Sequence, residues 1–185
     1  VSVDDLILRA KDGDPQAWRE LYAAHAGRLV VWLRTLPTGD TAVAPDDLAA
    51  EAWLTAAEKI AGFSGSRSEF AGWLFGIARL LATNARRRSN RRATSPSDLL
   101  HGHASDHHHL APVPDVGHQV IGEEWVRGVL ADLPRREREV VACMDVVGLD
   151  VEGTAVALGM SRTAVRVARH RALTRLRRTV VLAPS

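Results

Sequence analysis

The first half of the chain repeats apolar residues at helical spacing. Leu6, Ile7 and Ala10 fall on one face, and the pattern then breaks at Gly13–Asp14–Pro15. Asp14 is a good helix N-cap and Pro15 a good first-turn residue, so a second helix is predicted from there. Along it, Trp18, Leu21, Tyr22, His25, Leu29, Trp32, Leu33 and Leu36 form a 3.6-residue stripe. The segment PTGDTAVAP reads as a loop. A third helix is predicted from Pro45, carrying Leu48, Trp53, Leu54, Ala57 and Ile60. After the short loop SGSRS, a fourth runs from Glu69 and ends in five arginines.

The periodicity then stops. Residues 93–118 mix proline, glycine and histidine without a repeat and read as a flexible linker. Helical spacing resumes at 120–133, which Pro134 stops, and again from Arg135 to Gly148. A third helix ends at Gly159, a natural C-terminal cap, and Ser161 is placed to cap a final arginine-rich helix. No segment alternates as a strand. The expectation is an all-α fold of two small helical domains, 1–92 and 119–185, joined through 93–118.

Composition narrows the function. Apolar residues make up 46% of the 185 residues and charged residues 25%, as in folded proteins. No uninterrupted apolar run reaches the length of a membrane span, so membrane insertion is not expected. The first residues are acidic and lack the apolar core of a signal peptide. Cys143 is the only cysteine, which rules out an internal disulfide and makes a cytoplasmic setting the default.

Charge is segregated in a way that the formal net of +2 conceals. Residues 1–60 carry six basic and ten acidic groups, whereas 61–92 carry seven and one. Residues 93–121 hold three acids and no base, and 122–185 carry eleven bases against eight acids. Two basic zones separated by an acidic spacer suggest two contacts with a polyanion.

The C-terminal zone has the form of a helix-turn-helix. Two short helices are joined by LGMS, and the second carries seven arginines between Arg162 and Arg178 with no acid. In such a motif the second helix lies in the major groove with its N-terminal residues near base edges. Val165, Ala168, Ala172 and Leu176 form the stripe that would pack inward. At 100° per residue, Arg162, Arg166 and Arg169 flank it on one side and Arg171, Arg175 and Arg178 on the other. Each arginine on a phosphate would add salt dependence, and a base contact roughly 1–3 kcal/mol of discrimination. A solvated basic helix is the alternative.

With these residues in view, the chain resembles a known family. LADLPRREREVVACMDVVGLDVEGTAVALGMSRTAVRVARHRALTRLRR is similar to region 4 of bacterial extracytoplasmic-function (ECF) sigma factors. DGDPQAWRELYAAHAGRLVVWL, APDDLAAEAWLTA and FSGSRSEFAGWLFGIARLLATNARRR are similar to successive parts of their region 2. The resemblance implies a factor that binds core RNA polymerase and directs initiation at promoters with −10 and −35 elements. It implies core docking through Asp46, Asp47 and Glu51, which could equally serve as an acidic cap opposing the helix dipole. It places Ser64, Ser66 and Arg67 in a loop that captures a flipped −10 base, or in a plain interhelical turn. Trp73 would stack on an unpaired base or pack in the core with Phe70, Leu74 and Ile77. Arg79, Asn84, Arg86, Arg87 and Arg88 would follow the phosphate backbone. Ser161, Arg162, Thr163, Arg166, Arg169, His170 and Arg171 would read the −35 element. The family often has an anti-sigma factor partner. A stand-alone helix-turn-helix regulator is the alternative, but it gives the first half no role.

The tract HGHASDHHH holds His101, His103, His107, His108 and His109 beside Asp106, with His118 beyond. Imidazole is a common zinc ligand, but no helix or cysteine fixes a geometry here, so a polar tract without metal is expected. The DHH within it would need strand-end aspartates of an α/β sheet to act on phosphoesters. An enzyme is therefore not expected, nor a cofactor.

Overall fold

The computed structural model describes residues 3–36, 43–94, 126 and 128–182. Helices α1 (Val3–Lys11), α2 (Pro15–Thr35), α3 (Pro45–Lys59) and α4 (Arg67–Thr94) make up the first half, with a 3₁₀ turn at Ile60–Gly62. After a helical stretch at 128–131 come α5 (Arg135–Val141), a π turn (Ala142–Val146), α6 (Val151–Leu158) and α7 (Arg162–Leu182). No strand occurs among the described residues, as the sequence led one to expect. The histidine tract lies outside them. Helix α4 continues to Thr94, past the boundary drawn at 92.

Local chemistry explains the boundaries. Gly13 turns the chain at φ 80°, a left-handed conformation that favours glycine. The Asp14 carboxylate accepts from Gln16 N at 2.8 Å and from Arg9 Nε at 2.8 Å. The backbone bond first, then the guanidinium, holds that carboxyl below its ordinary range. The α1–α2 corner is closed by the Trp18 indole, which donates to the Ala10 carbonyl at 3.0 Å.

Sequence alone gave one helix from Arg135 to Gly148. In the structure it widens into the π turn, with Val147 N donating to the Ala142 carbonyl at 3.1 Å and Leu149 N to that of Cys143 at 2.7 Å. The chain leaves through Gly148 at φ 71°. This redirection puts the Val147 carbonyl within 2.6 Å of Arg28 Nε on α2.

Aromatic and aliphatic side chains of both halves form one core. Trp32 and Phe75 lie 5.2 Å apart by ring centroid, Tyr22 and Trp53 5.1 Å. Leu21, Leu29, Phe70 and Leu74 join them, with Val140, Cys143, Val165 and Ala172 from the second half. His25, on the same stripe of α2, is 5% exposed and packs at 6.0 Å from the Phe70 ring. Neither of its ring nitrogens has a hydrogen-bond partner among the described residues. Burial first, then the charges of Arg28 and Arg67, lowers its pKa to about 4, so it is neutral at pH 7. Cys143 is fully buried, and burial pushes its thiol up to about 12.

The halves meet mainly through α4 and α6. Gly72 and Gly153 approach so closely that a Cβ on Gly72 would lie 2.3 Å from the Gly153 carbonyl oxygen. One turn on, a Cβ at Gly76 would rest 3.6 Å from the Ala157 oxygen. On α6 the approach falls at Gly153 and Ala157, both on its buried face.

Candidate nucleic-acid interface

The turn between α6 and α7 is built from three local devices. Asp150 caps α6 by accepting from Gly153 N at 2.7 Å. Gly159 ends it at φ 62°, ψ 40°, and Met160 N then reaches back to the Ala155 carbonyl at 3.0 Å. That left-handed glycine with a six-residue back-bond is the Schellman arrangement. Ser161 starts α7 by accepting from Ala164 N at 3.1 Å. Together they fix the angle at which α7 leaves the motif.

Val165 and Ala172 are fully buried on the inner side of α7, with Ala168 and Leu176 half-buried beside them. Ser161, Arg162, Thr163, Arg166, His170 and Arg171 are all exposed on the outer side. Arg162 reaches Glu152 at 3.2 Å, a pair open to solvent. Arg169 differs from the rest. Its guanidinium grips Asp145 of the π turn through both Nε (3.0 Å) and Nη2 (2.5 Å), which holds its charge more firmly than usual. Arg169 is thus turned toward the protein, while the other six residues form an open cationic face.

The loop before α4 is tighter than a plain turn. Ser66 and Glu69 form a reciprocal capping box: Ser66 N donates to Glu69 Oε2 at 2.7 Å and Glu69 N to Ser66 Oγ at 3.3 Å. The first of these holds the Glu69 carboxyl below its usual range. Ser66 therefore spends its hydroxyl on the helix start, whereas Ser64 and Arg67 are exposed. The S-x-x-E spacing was present in the sequence and had passed for a simple loop. Trp73 is half-buried, its ring 5.0 Å from Phe63 and 5.8 Å from Phe70, so it both packs and borders solvent.

Taken at 100° per residue, α4 has three faces. Phe70, Leu74 and Ala78 point into the core. Ser68, Gly72, Gly76 and Arg79 point toward the second half. Trp73, Ile77, Leu80, Asn84 and Arg87 share the third, where Leu80 is 60% exposed and Arg87 and the adjacent Arg88 are exposed. Asn84 and Arg86 are half-buried. Arg79 is separated from these cations: its Nη2 pairs with the nearly buried Glu139 at 3.0 Å, and Arg135 holds the other oxygen of Glu139 at 3.0 Å.

On α3, Asp47 and Glu51 are exposed one turn apart. Leu54 and Glu58 extend the line, at i+7 and i+11 from Asp47. Leu54 is 54% exposed, a large apolar side chain inside an acidic stripe, and the sequence reading had placed it in the apolar pattern. Asp46 sits to one side and reaches Arg34 at 3.6 Å.

Residues 21–92 match sigma-70 region 2, and residues 123–176 match sigma-70 region 4. The ECF RNA polymerase sigma factor ShbA of Streptomyces griseus is 34% identical over 182 residues, covering 93% of this chain and 92% of that one. The ECF RNA polymerase sigma factor SigD of Mycobacterium tuberculosis is 29% identical over 188 residues, covering 98% and 85%. Among solved structures, CnrH in complex with the cytosolic domain of CnrY shares the fold, with a TM-score of 0.68 at 22% identity over 98% of this chain and 99% of that chain. No helix of the described residues is long and apolar enough to cross a membrane. With region 2 and region 4 in order along one chain, the protein belongs to the ECF RNA polymerase sigma factors, which direct promoter-specific transcription initiation.

Proposed function

We propose that this sigma factor divides its work among three open faces. The α3 stripe of Asp47, Glu51, Leu54 and Glu58, with Asp46 beside it, docks on core RNA polymerase. The outer face of α4 holds the melted −10 element, and the outer face of α7 reads the −35 element in duplex form. The carrying observation is that charge sorts by face: acids line α3, while α4 and α7 present cations.

Each face suits its partner physically. Leu54 supplies apolar area that an acidic stripe alone lacks, and the carboxylates around it set orientation. Trp73, half-buried, offers aromatic surface for stacking, worth roughly 1–3 kcal/mol per unpaired base, and this offsets the few kcal/mol that flipping a base costs. Arg87 and Arg88 lie further along the same helix to follow the phosphates, with Asn84 and Arg86 between. In the loop, Ser64 and Arg67 are the groups able to reach a base, since Ser66 is engaged as the helix cap. On α7, Ser161, Arg162, Thr163, Arg166, His170 and Arg171 enter the groove, and Arg169 braces the helix through Asp145. The factor acts in the cytoplasm, where core polymerase and promoter DNA meet. An anti-sigma factor is a further partner, as the family implies.

The test separates docking from DNA contact. Core binding, followed by fluorescence anisotropy of labelled factor, should weaken at least tenfold when Asp47 and Glu51 become alanine and stay unchanged for Trp73→Ala. Permanganate reactivity of unpaired thymines in the promoter complex should fall for Trp73→Ala. Unchanged core affinity in the α3 variant would overturn the docking assignment.

A further inference from the structure

We propose that Val167 selects a thymine in the −35 element by packing on the 5-methyl group of that base. This rests on the assignment of the outer face of α7 to the −35 duplex. Val167 is the sixth residue of α7 and is 43% exposed. Among the described side chains of that helix it is the one large apolar group in the open. A single exposed valine is ordinary on a protein surface, so its surroundings decide its meaning. At about 100° per residue it stands about 160° round the helix from the buried Val165, near the centre of the outer face. Exposed basic side chains flank it, Arg166 and His170 on one side and Arg171 on the other.

Polar groups nearby are spent on the protein itself. The Ser161 hydroxyl accepts from Ala164 N at 3.1 Å, and Arg169 is held by Asp145. Thr174, two turns beyond Val167 on the same line, donates its hydroxyl to the His170 carbonyl at 2.9 Å. The middle of the face therefore offers a branched hydrocarbon, while its flanks offer charge to the phosphates. A recognition helix brings its N-terminal residues to the base edges, and Val167 lies within the first two turns. In the major groove the base edges carry donors and acceptors, and thymine alone adds an apolar group, its C5-methyl. Opposite Val167, an edge of guanine, adenine or cytosine would give up hydrogen bonds to water and receive none in return. A thymine methyl gains contact there instead. Thymine is thus preferred by desolvation and shape, without a hydrogen bond from the side chain.

Deoxyuridine is the direct probe, because it pairs as thymidine does and lacks only the methyl group. The duplex is the promoter fragment that the factor, assembled with core RNA polymerase, binds most tightly from a pool, its −35 element located by footprinting. Each thymine of that element is replaced in turn by deoxyuridine, and affinity is measured by competition. At one position the wild type should bind about fourfold more weakly, the worth of about one buried methyl. Val167→Ala puts a better helix former at an exposed site and withdraws two methyls from the groove. It should bind the thymine duplex about threefold more weakly than the wild type and lose almost nothing further from deoxyuridine at that position. Arg166→Ala separates this inference from the reading beneath it. If that variant keeps full affinity and salt dependence, α7 does not face the duplex, and both fall. If it weakens binding while no deoxyuridine matters, or while Val167→Ala keeps the whole deoxyuridine effect, the role of Val167 alone is overturned. A −35 element without thymine overturns it as well.

Discussion

Lowering the pH from 8 to 5 should destabilise the protein through His25. An unfolded histidine titrates near 6.5, whereas this one, buried against Phe70, titrates at about 4. The folded state refuses a proton that the unfolded chain accepts, so stability is full above about pH 6.5 and falls as pH drops, levelling off below 4. From the two pKa values the loss between pH 8 and 5 is about 2 kcal/mol, or roughly 4–8 °C in Tm for a chain of this size. Asp14, Glu69 and Asp150 also have lowered pKa values, Asp150 chiefly through its bond from Ser68. Their contributions are held above the ordinary carboxylate range and are lost only below it, outside this window. His25→Leu keeps the volume and removes both the proton site and two unpartnered nitrogens. Urea denaturation followed by circular dichroism at pH 8 and pH 5 should show the pH effect in the wild type and most of it gone in His25→Leu. Equal pH dependence in the two proteins would refute the reasoning.

Gly159→Ala should cost about 1–2 kcal/mol, since it forces a Cβ into the left-handed region; the thermal midpoint of the purified chain checks it. Arg166→Ala should lower the slope of log affinity against log salt by about 1 for −35 duplex, measured by anisotropy at several salt concentrations. Cys143 should resist maleimide at pH 8 until the protein unfolds, because its thiol is buried and pushed up to about 12; labelling that is fast without denaturant would contradict the packing.

Much of this architecture could be read along the chain because its signals are local. The stripe from Trp18 to Leu36, the Asp14 cap, the Gly159 turn and the Ser161 cap each depend on neighbours within a few residues. The two regions and their order were legible in the same way. What stayed hidden is tertiary. Gly72 and Gly153 look like ordinary helix glycines until the helices are brought together. Sequence shows the charge of Arg79 and Arg169 but not that Glu139 and Asp145 face them. Leu54 was read as apolar pattern, since only the packed helix reveals that it emerges between Glu51 and Glu58. The Ser66–Glu69 capping box was the exception: its spacing was visible and went unused.

The most direct test of the whole account is run-off transcription with bacterial core polymerase on a pool of promoter fragments, with and without this protein. The account predicts specific transcripts that depend on the factor, and their loss when Asp46, Asp47 and Glu51 are changed together to alanine. No factor-dependent transcript and no core binding, alongside tight binding to duplex DNA alone, would contradict it.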